Sequence, residues 1–239
     1  MSSALAGAFT LPGLNCNAGF PGNLGVYLPF LAAALAVLLI GGVFYLSYKR
    51  KKDLEQLALS AGLAFDADAA GLPCLENSGI DLFNLGHSRK SRNLLVSSGA
   101  DKVYFFDYSY ATGSGKSRTT HIYTLAFFEF SRSIFPRFAL RPENFLDKIG
   151  EMIGFQDIDI EAFPAFSKAY KLNGPDKAAV LAFFGPRTVN YFEQNPGWRV
   201  QAAGQRLIAF KKETVIPAAV YQAWMEEAKN LVSNIAVSC

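Results

Sequence analysis

The loop at residues 113–117 (GSGKS) contains the residue types that bind phosphate in nucleotide-binding proteins. Such a loop works when its backbone N–H groups and the start of a following helix surround the phosphate, in the pattern GxxxxGK[ST]. Here Tyr110 occupies the position of the first glycine, and residues 118–130 alternate as a β-strand does. The sequence therefore predicts an exposed hairpin tip, at which Lys116 and Arg118 face solvent, phosphate headgroups or an acidic partner.

A second basic run, residues 87–92 (HSRKSR), is predicted to be the loop between the first two strands of a sheet. Arg89, Lys90 and Arg92 are its candidates for contact with an anion or a partner. One interpretation is a solvated turn. The other is a cationic patch, which forms if the two basic loops lie at the same end of the sheet and which suits anionic lipid.

His121 is the histidine that lies on a predicted strand, where it faces Tyr108 or Asp107 across a hairpin, depending on the register. A histidine paired with an aspartate can act as a general base. The alternative function is thus a membrane-tethered enzyme with a pocket near the hairpin at residues 102–130, containing Asp107, His121 and Lys116. The sequence shows no nucleophile in a recognisable setting, so a structural histidine and a non-enzymatic protein are the favoured interpretation.

Metal and nucleic-acid sites are not predicted. The chain has no HxxxH or HExxH pattern, and its three cysteines form no CxxC pair. The alternating acids Asp157, Asp159 and Glu161 are predicted to keep an edge strand soluble rather than to bind a cation. We therefore predict no cofactor and no metal.

The elements that position these residues follow from the period of the apolar side chains. The strongest strand is 102–110 (KVYFFDYSY), with Asp107 on one face and its tyrosines on the other, and residues 119–130 return as its hairpin partner. Further strands are predicted at 80–85, 93–97, 157–161, 198–202 and 206–211, with a brief extended piece at 137–140 and an additional candidate strand at 168–172. Helices are predicted at 52–62, 143–153, 175–194 with a break at Gly185 and Pro186, and 217–235.

A membrane anchor is predicted at residues 26–47 (VYLPFLAAALAVLLIGGVFYLS), a run of 22 residues without charge. A helix of that length spans about 33 Å, enough to cross a hydrocarbon core of about 30 Å. A buried core helix seldom avoids every polar residue over six turns. A cleaved signal peptide requires a basic region before the apolar one, and residues 1–48 contain no charged side chain.

Lys49, Arg50, Lys51 and Lys52 follow the anchor directly and are predicted to lie at the membrane surface, where they can contact anionic lipid. Because lysine and arginine are retained on the cytoplasmic side, we predict an outside N-terminus and a cytoplasmic C-terminal domain at the inner membrane. The chain has 23 basic and 20 acidic residues, so without these four cations it is close to neutral. A nucleic-acid-binding domain needs a basic face of its own, and none is predicted.

The stretches FFDYSYATGSGKSRTTH, PRFALRPE and DIDIEAFPAFSKAY resemble a family of uncharacterised single-pass bacterial membrane proteins with a soluble α+β domain. The resemblance covers roughly residue 84 to the C-terminus. It implies a bacterial inner-membrane protein, and it brings no activity, cofactor or catalytic residue.

Together these features predict an α+β protein: one N-terminal transmembrane helix followed by a mainly antiparallel sheet of six to eight strands, packed with about three helices. The predicted segments are an outer tail at 1–25, the span at 26–48, a basic juxtamembrane segment and linker at 49–79, and the soluble domain at 80–239. The predicted function is a membrane-anchored, non-enzymatic module that binds a protein partner or anionic lipid headgroups of the bilayer.

Overall fold

The computed structural model describes residues 24–73, 75–143 and 157–236 of the 239-residue chain. Two compact units are present, and the division between them falls between Ser47 and Tyr48. The predicted helix at 143–153 lies outside the described residues, apart from its first residue.

The first helix, α1, covers Leu24–Ser60 and contains the apolar run. It is the one helix of the described chain that is long and apolar enough to cross a membrane, by length and composition. Large apolar side chains from Tyr27 to Tyr48 are exposed, and none of the most apolar stretch is buried inside the protein. This exposure excludes the core-helix interpretation, because a core helix covers its apolar side chains with other parts of the chain. Pro29 lies near the start of the helix, where a missing N–H costs little.

The C-terminal unit is built on one eight-stranded sheet in the order β1-β2-β3-β4-β8-β7-β5-β6, and every neighbouring pair is antiparallel. The strands are β1 (Ala64–Asp66), β2 (His87–Val96), β3 (Lys102–Thr112), β4 (Thr119–Glu129), β5 (Phe135–Pro142), β6 (Tyr170–Asn173), β7 (Arg199–Gly204) and β8 (Arg206–Phe210). The predicted α+β class, with a mainly antiparallel sheet, is confirmed.

Among the described residues, four short or medium helices accompany the sheet: α2 (Pro164–Ala169), α3 (Lys177–Phe183), α4 (Pro186–Gln194) and α5 (Ala218–Ile235). The break between α3 and α4 at Gly185 and Pro186 is as predicted, because proline cannot continue a helix but is suited to begin one. The sequence did not predict α2, because its six residues are too few to show the spacing of apolar side chains that is typical of a helix.

The two faces of the sheet carry separate apolar cores. On one face of the sheet, α5 and the α1 residues Leu54 and Ala58 pack against the side of β3 that carries Phe105. On the other face, Tyr104, Phe106 and Tyr108 pack beneath the chain that connects β1 to β2. The alternation of β3 therefore buries both of its faces, as expected for a central strand.

The predicted juxtamembrane segment contributes to the C-terminal unit. Leu54 and Ala58 lie one helical turn apart on α1, so they share a face, and both are fully buried in the core. Residues 64–66, expected to belong to a linker, form strand β1 at the edge of the sheet.

Three local predictions are wrong. Asp81–Asn84 is a 3-10 turn rather than a strand. The basic run 87–92 is the first half of β2 rather than a loop. Charge misled this prediction, since β1 pairs only with Leu94–Val96 and leaves 87–92 as an open edge, where charged side chains are favoured. Residues 157–161 form only an isolated bridge at Asp157 and a turn, not a strand.

Candidate functional site

The start of the C-terminal unit carries the four cations predicted to face the membrane, and the structure separates them into two groups. Lys49, Lys51 and Lys52 are exposed, and Lys52 lies over the ring of Tyr48 at 5.8 Å. Arg50 points the other way, into the domain, because successive helical residues are about 100° apart. Arg50 is thus not available to lipid headgroups, which corrects its predicted role.

Arg50 is held by Asp107 of β3 through both guanidinium nitrogens. Nη1 donates to Oδ2, and Nη2 donates to Oδ1 at 3.0 Å and to the carbonyl of Ile216 at 3.0 Å. The two side chains are only 18% and 11% exposed. Such a bidentate, part-buried pair combines charge with fixed geometry and is among the strongest polar contacts in proteins.

Two neutral side chains complete the environment of Asp107. Asn93 donates its amide to Oδ2 at 2.9 Å, and Thr124 donates its hydroxyl to Oδ1 at 2.8 Å. The Thr124 hydroxyl in turn accepts from the N–H of Ile216. Asp107 therefore joins α1, the strands β2, β3 and β4, and the segment before α5.

The ring of Tyr221 on α5 lies under Arg50, with the guanidinium 5.9 Å from the ring centre. Burial raises the pKa of the Tyr221 hydroxyl well above its ordinary value, Asp107 raises it further, and Arg50 lowers it. Tyr221 thus stays neutral at any physiological pH, and it contributes a ring face to the cation.

The predicted enzyme pocket is not assembled. Asp107 pairs with Thr124 and Tyr110 pairs with His121 in the β3–β4 register, so Asp107 and His121 lie on opposite faces of the sheet. His121 stacks on Tyr110 with ring centres 4.7 Å apart. The register thus pairs His121 with Tyr110, whereas the sequence predicted Tyr108 or Asp107, so that prediction is wrong.

His121 has partners of its own. Nδ1 contacts the carboxylate of Glu213, and Nε2 lies 2.9 Å from the hydroxyl of Thr112. A carboxylate, a histidine and a hydroxyl in this order resemble the set that activates a nucleophile. Thr112 is a secondary alcohol at the end of β3, and none of the cavities described below includes it. The set ties the end of the hairpin to the segment after β8.

The GSGKS loop is the tip of the β3–β4 hairpin, as the sequence predicts. Gly115–Ser117 forms a single 3-10 turn, and β4 follows at Thr119 instead of a helix. Gly113 has φ +70, and a Cβ there would lie 2.5 Å from the carbonyl of Ser117, so the tight turn requires glycine. Lys116 and Arg118 are exposed and form no ion pair within the described residues.

The basic residues at the edge of β2 also fall into two groups, one bound to partners within the chain and one exposed. Arg89 belongs to the first group, because its guanidinium donates to Glu76 and to the carbonyls of Leu85, Asn84 and Gly86. Lys90 and Arg92 are exposed and form no ion pair in the part of the chain that the structure describes. Arg89 is therefore a structural residue, and Lys90 and Arg92 keep their predicted availability.

The exposed lysines follow the apolar run directly in sequence, and Lys116 and Arg118 are at the tip of the β3–β4 hairpin. We call Lys49, Lys51, Lys52, Lys116 and Arg118 the entry-end cations.

The cavities formed by the described residues of the C-terminal unit include three that are open to solvent. One, of about 290 Å³, lies between β2 and the chain before it, and a second, of about 460 Å³, lies at the far end of the β3–β4 hairpin near Lys102. A third, of about 540 Å³, lies between Trp198 and α5, where Lys211 lies over the Trp198 ring and pairs with Glu227. No group of three or more potential metal ligands is present among the described residues.

Comparisons with known proteins give a fold and no family. No protein-family model matches the chain, and no curated protein matches its sequence. Among solved structures, the chain is similar to the mycobacterial trehalose monomycolate transport factor A, TtfA, at 10% identity and a TM-score of 0.56. The match covers 79% of this chain and 93% of the TtfA chain. At this identity the likeness shows a shared fold, and the family resemblance of the sequence stays a prediction.

Proposed function

We propose that this protein is a single-pass, non-enzymatic module of the bacterial inner membrane whose entry-end cations bind anionic lipid headgroups. The proposed arrangement has residues 1–25 outside, the span at 26–48 and the C-terminal unit in the cytoplasm. The positive charges directly after the apolar run support this orientation, since basic residues are retained on the cytoplasmic side.

The observation that carries the proposal is the free charge of the entry-end cations. All five are exposed without an ion-pair partner among the described residues, three of them directly after the apolar run in sequence and two at the hairpin tip. Each lysine or arginine near an anionic membrane surface contributes about 1 kcal/mol of attraction. The attraction acts within a Debye length of the surface, about 8 Å at physiological salt.

The fold likeness adds a transport-related role to the proposal and does not decide the ligand. The similar structure is named a transport factor for trehalose monomycolate. By analogy of fold, we infer an accessory role for this chain in which the soluble unit is held at the bilayer and works there through binding.

Hydrogen–deuterium exchange of the full chain in nanodiscs tests the lipid contact. We expect backbone amides of residues 113–118 to exchange about fivefold more slowly in discs with phosphatidylglycerol than in purely zwitterionic discs, since about 1 kcal/mol per cation corresponds to that factor. The K116Q/R118Q variant should lose the difference, and 1 M salt should abolish it, because the Debye length falls to about 3 Å.

The matched control is K168Q/K177Q, which removes two exposed cations beside β6, the opposite edge strand. This variant should keep the dependence on lipid charge. Equal exchange of residues 113–118 in both kinds of disc would contradict the lipid role. The same cations would then be better explained as the docking site of an acidic protein partner.

A further inference from the structure

The face of the sheet that carries Asp107 has an open part beyond this residue. Lys90 of β2 pairs with Ser109 of β3, and Ser109 pairs with Ile122 of β4, so the three side chains form one row across the strands. Ser109 follows Asp107 by two residues, which places the row on the same face, about 7 Å along β3. Lys90 is exposed and Ile122 is 43% exposed, so the row is open to solvent.

Ile122 is distinguished by its setting. Of the large apolar side chains in the eight strands, all of which lie within the described residues, it alone is exposed. A single exposed apolar residue is common on protein surfaces and needs no ligand. Here, however, it shares its face with the cation of Lys90, two strands or about 10 Å away. The row therefore combines an apolar side chain with positive charge.

Arg92 adds a second positive charge to this face. It lies directly across from Asp107 in the β2–β3 register, but that carboxylate already accepts from Arg50, Asn93 and Thr124. Both Lys90 and Arg92 are exposed and form no ion pair within the described residues. The charge of Asp107 is matched by Arg50, so these two cations stay uncompensated. We call Lys90, Arg92 and Ile122 the open sheet face.

The open sheet face lies close to the start of the C-terminal unit. The unit begins at Tyr48, and Arg50, in the same turn of α1, binds Asp107. The same carboxylate thus adjoins both the start of the unit and Arg92. The proposed span ends at residue 48, so the proposed arrangement holds this part of the unit beside the headgroups.

We propose that the open sheet face is a second membrane contact, in which Lys90 and Arg92 bind anionic headgroups and Ile122 enters the boundary between headgroups and acyl chains. A bilayer offers both chemistries at one surface, since anionic headgroups attract cations and the acyl chains below accept apolar side chains. This inference rests on the proposed lipid-binding function. It deepens that function, because the contact becomes partly apolar.

A nitrobenzoxadiazole dye at position 122 tests the contact in the full chain in nanodiscs. The dye is attached to I122C after C16A, C74A and C239A remove the chain's own thiols. We expect stronger, blue-shifted emission in discs with phosphatidylglycerol than in zwitterionic discs, and quenching by doxyl-labelled lipid. K90Q and R92Q should each weaken the contact about fivefold, since about 1 kcal/mol per cation corresponds to that factor.

The matched control is I134C with the same dye. Ile134 is 69% exposed and follows the other end of β4, so its emission should be the same in both kinds of disc. Position 122 is open to solvent, so the labelled chain is expected to fold, and its thermal unfolding temperature checks that it does.

The dye at position 122 and the hydrogen exchange of residues 113–118 report separate contacts. A dye response without slowed exchange at the tip would support the open sheet face and contradict the contact of the tip. Slowed exchange at the tip, with equal emission from position 122 in both kinds of disc, would overturn the second contact alone. Lys90 and Arg92 would then be better explained as a docking site for an acidic protein segment.

Discussion

Replacing Asp107 by alanine is expected to lower the free energy of unfolding of the C-terminal unit by about 3–5 kcal/mol, the usual cost of removing one partner of a buried ion pair. Three groups lose their acceptor at once: the Arg50 guanidinium, the Asn93 amide and the Thr124 hydroxyl. Arg50 cannot turn to solvent without losing the Ile216 carbonyl and the Tyr221 ring. The charge is then left buried without compensation.

Urea unfolding of the full chain, followed by tryptophan fluorescence, measures this loss. Both tryptophans of the chain, Trp198 and Trp224, are buried in the C-terminal unit, so the signal reports that unit alone. The matched control is K51A, which removes the exposed cation next to Arg50 and should change stability by less than about 0.5 kcal/mol.

A double-mutant cycle separates the ion pair from the rest of the network. R50A/D107A should be more stable than the sum of the single losses predicts, by about 1–3 kcal/mol, because neither charge is then left alone. Additive losses, or a D107A variant as stable as K51A, would show that Arg50 and Asp107 are not coupled. The start of the C-terminal unit would then have to be held by other contacts.

Replacing Gly86 by alanine is expected to destabilise the C-terminal unit by about 2–4 kcal/mol, through backbone strain and overpacking together. Gly86 has φ +56, and a Cβ there would lie 2.2 Å from the carbonyl oxygen of Ala111 and 2.8 Å from the Tyr110 ring. The first of these is backbone of the central strand β3, which cannot move without disturbing its pairing with β4. The same urea unfolding experiment measures the effect.

Gly185→Ala is the control for Gly86. Gly185 precedes α4 with φ −71, and a Cβ there meets nothing within 4 Å, so this change should be close to neutral. If both substitutions were equally tolerated, the entry into β2 would not be as tightly packed as the structure has it. The Arg89 contact to the Gly86 carbonyl, which shapes the cavity wall, would then lose its geometric basis.

The fold class and the central hairpin could be predicted because their signals are local. The alternation over 102–130 predicts two strands and a short polar connection, although it leaves the register between the two strands open. The apolar run in α1 is equally local, since length and the absence of charge suffice. The break between α3 and α4 is predicted from two residues alone, Gly185 and Pro186.

The site could not be predicted, because its residues meet only in three dimensions. Asp107 stands among aromatic residues in a strand with two buried faces, and that position signals a buried charge in need of a cation. Nothing in the spacing of Arg50 and Asp107, 57 residues apart, identifies the partner among four neighbouring cations. The basic run 87–92 was mistaken for a loop for a related reason, since only the shortness of β1 makes that half of β2 an open edge.

The structure also changes which basic residues carry the functional proposal. Arg50 and Arg89 are fixed by internal partners, so substitutions there act first on stability. Lys116 and Arg118 face solvent without such partners and allow binding to be altered without disturbing the core. Experiments on the membrane-surface role therefore belong at the hairpin tip.

Labelling of the chain's own cysteines in intact cells shows which side of the membrane each end of the chain occupies. Cys16 precedes the apolar run, whereas Cys74 and Cys239 follow it. With a membrane-impermeant maleimide, we predict labelling of Cys16 alone, and labelling of the other two only after the cells are permeabilised, with the Cys16→Ala variant as control. Labelling of Cys239 in intact cells would place the C-terminal unit outside and contradict the account.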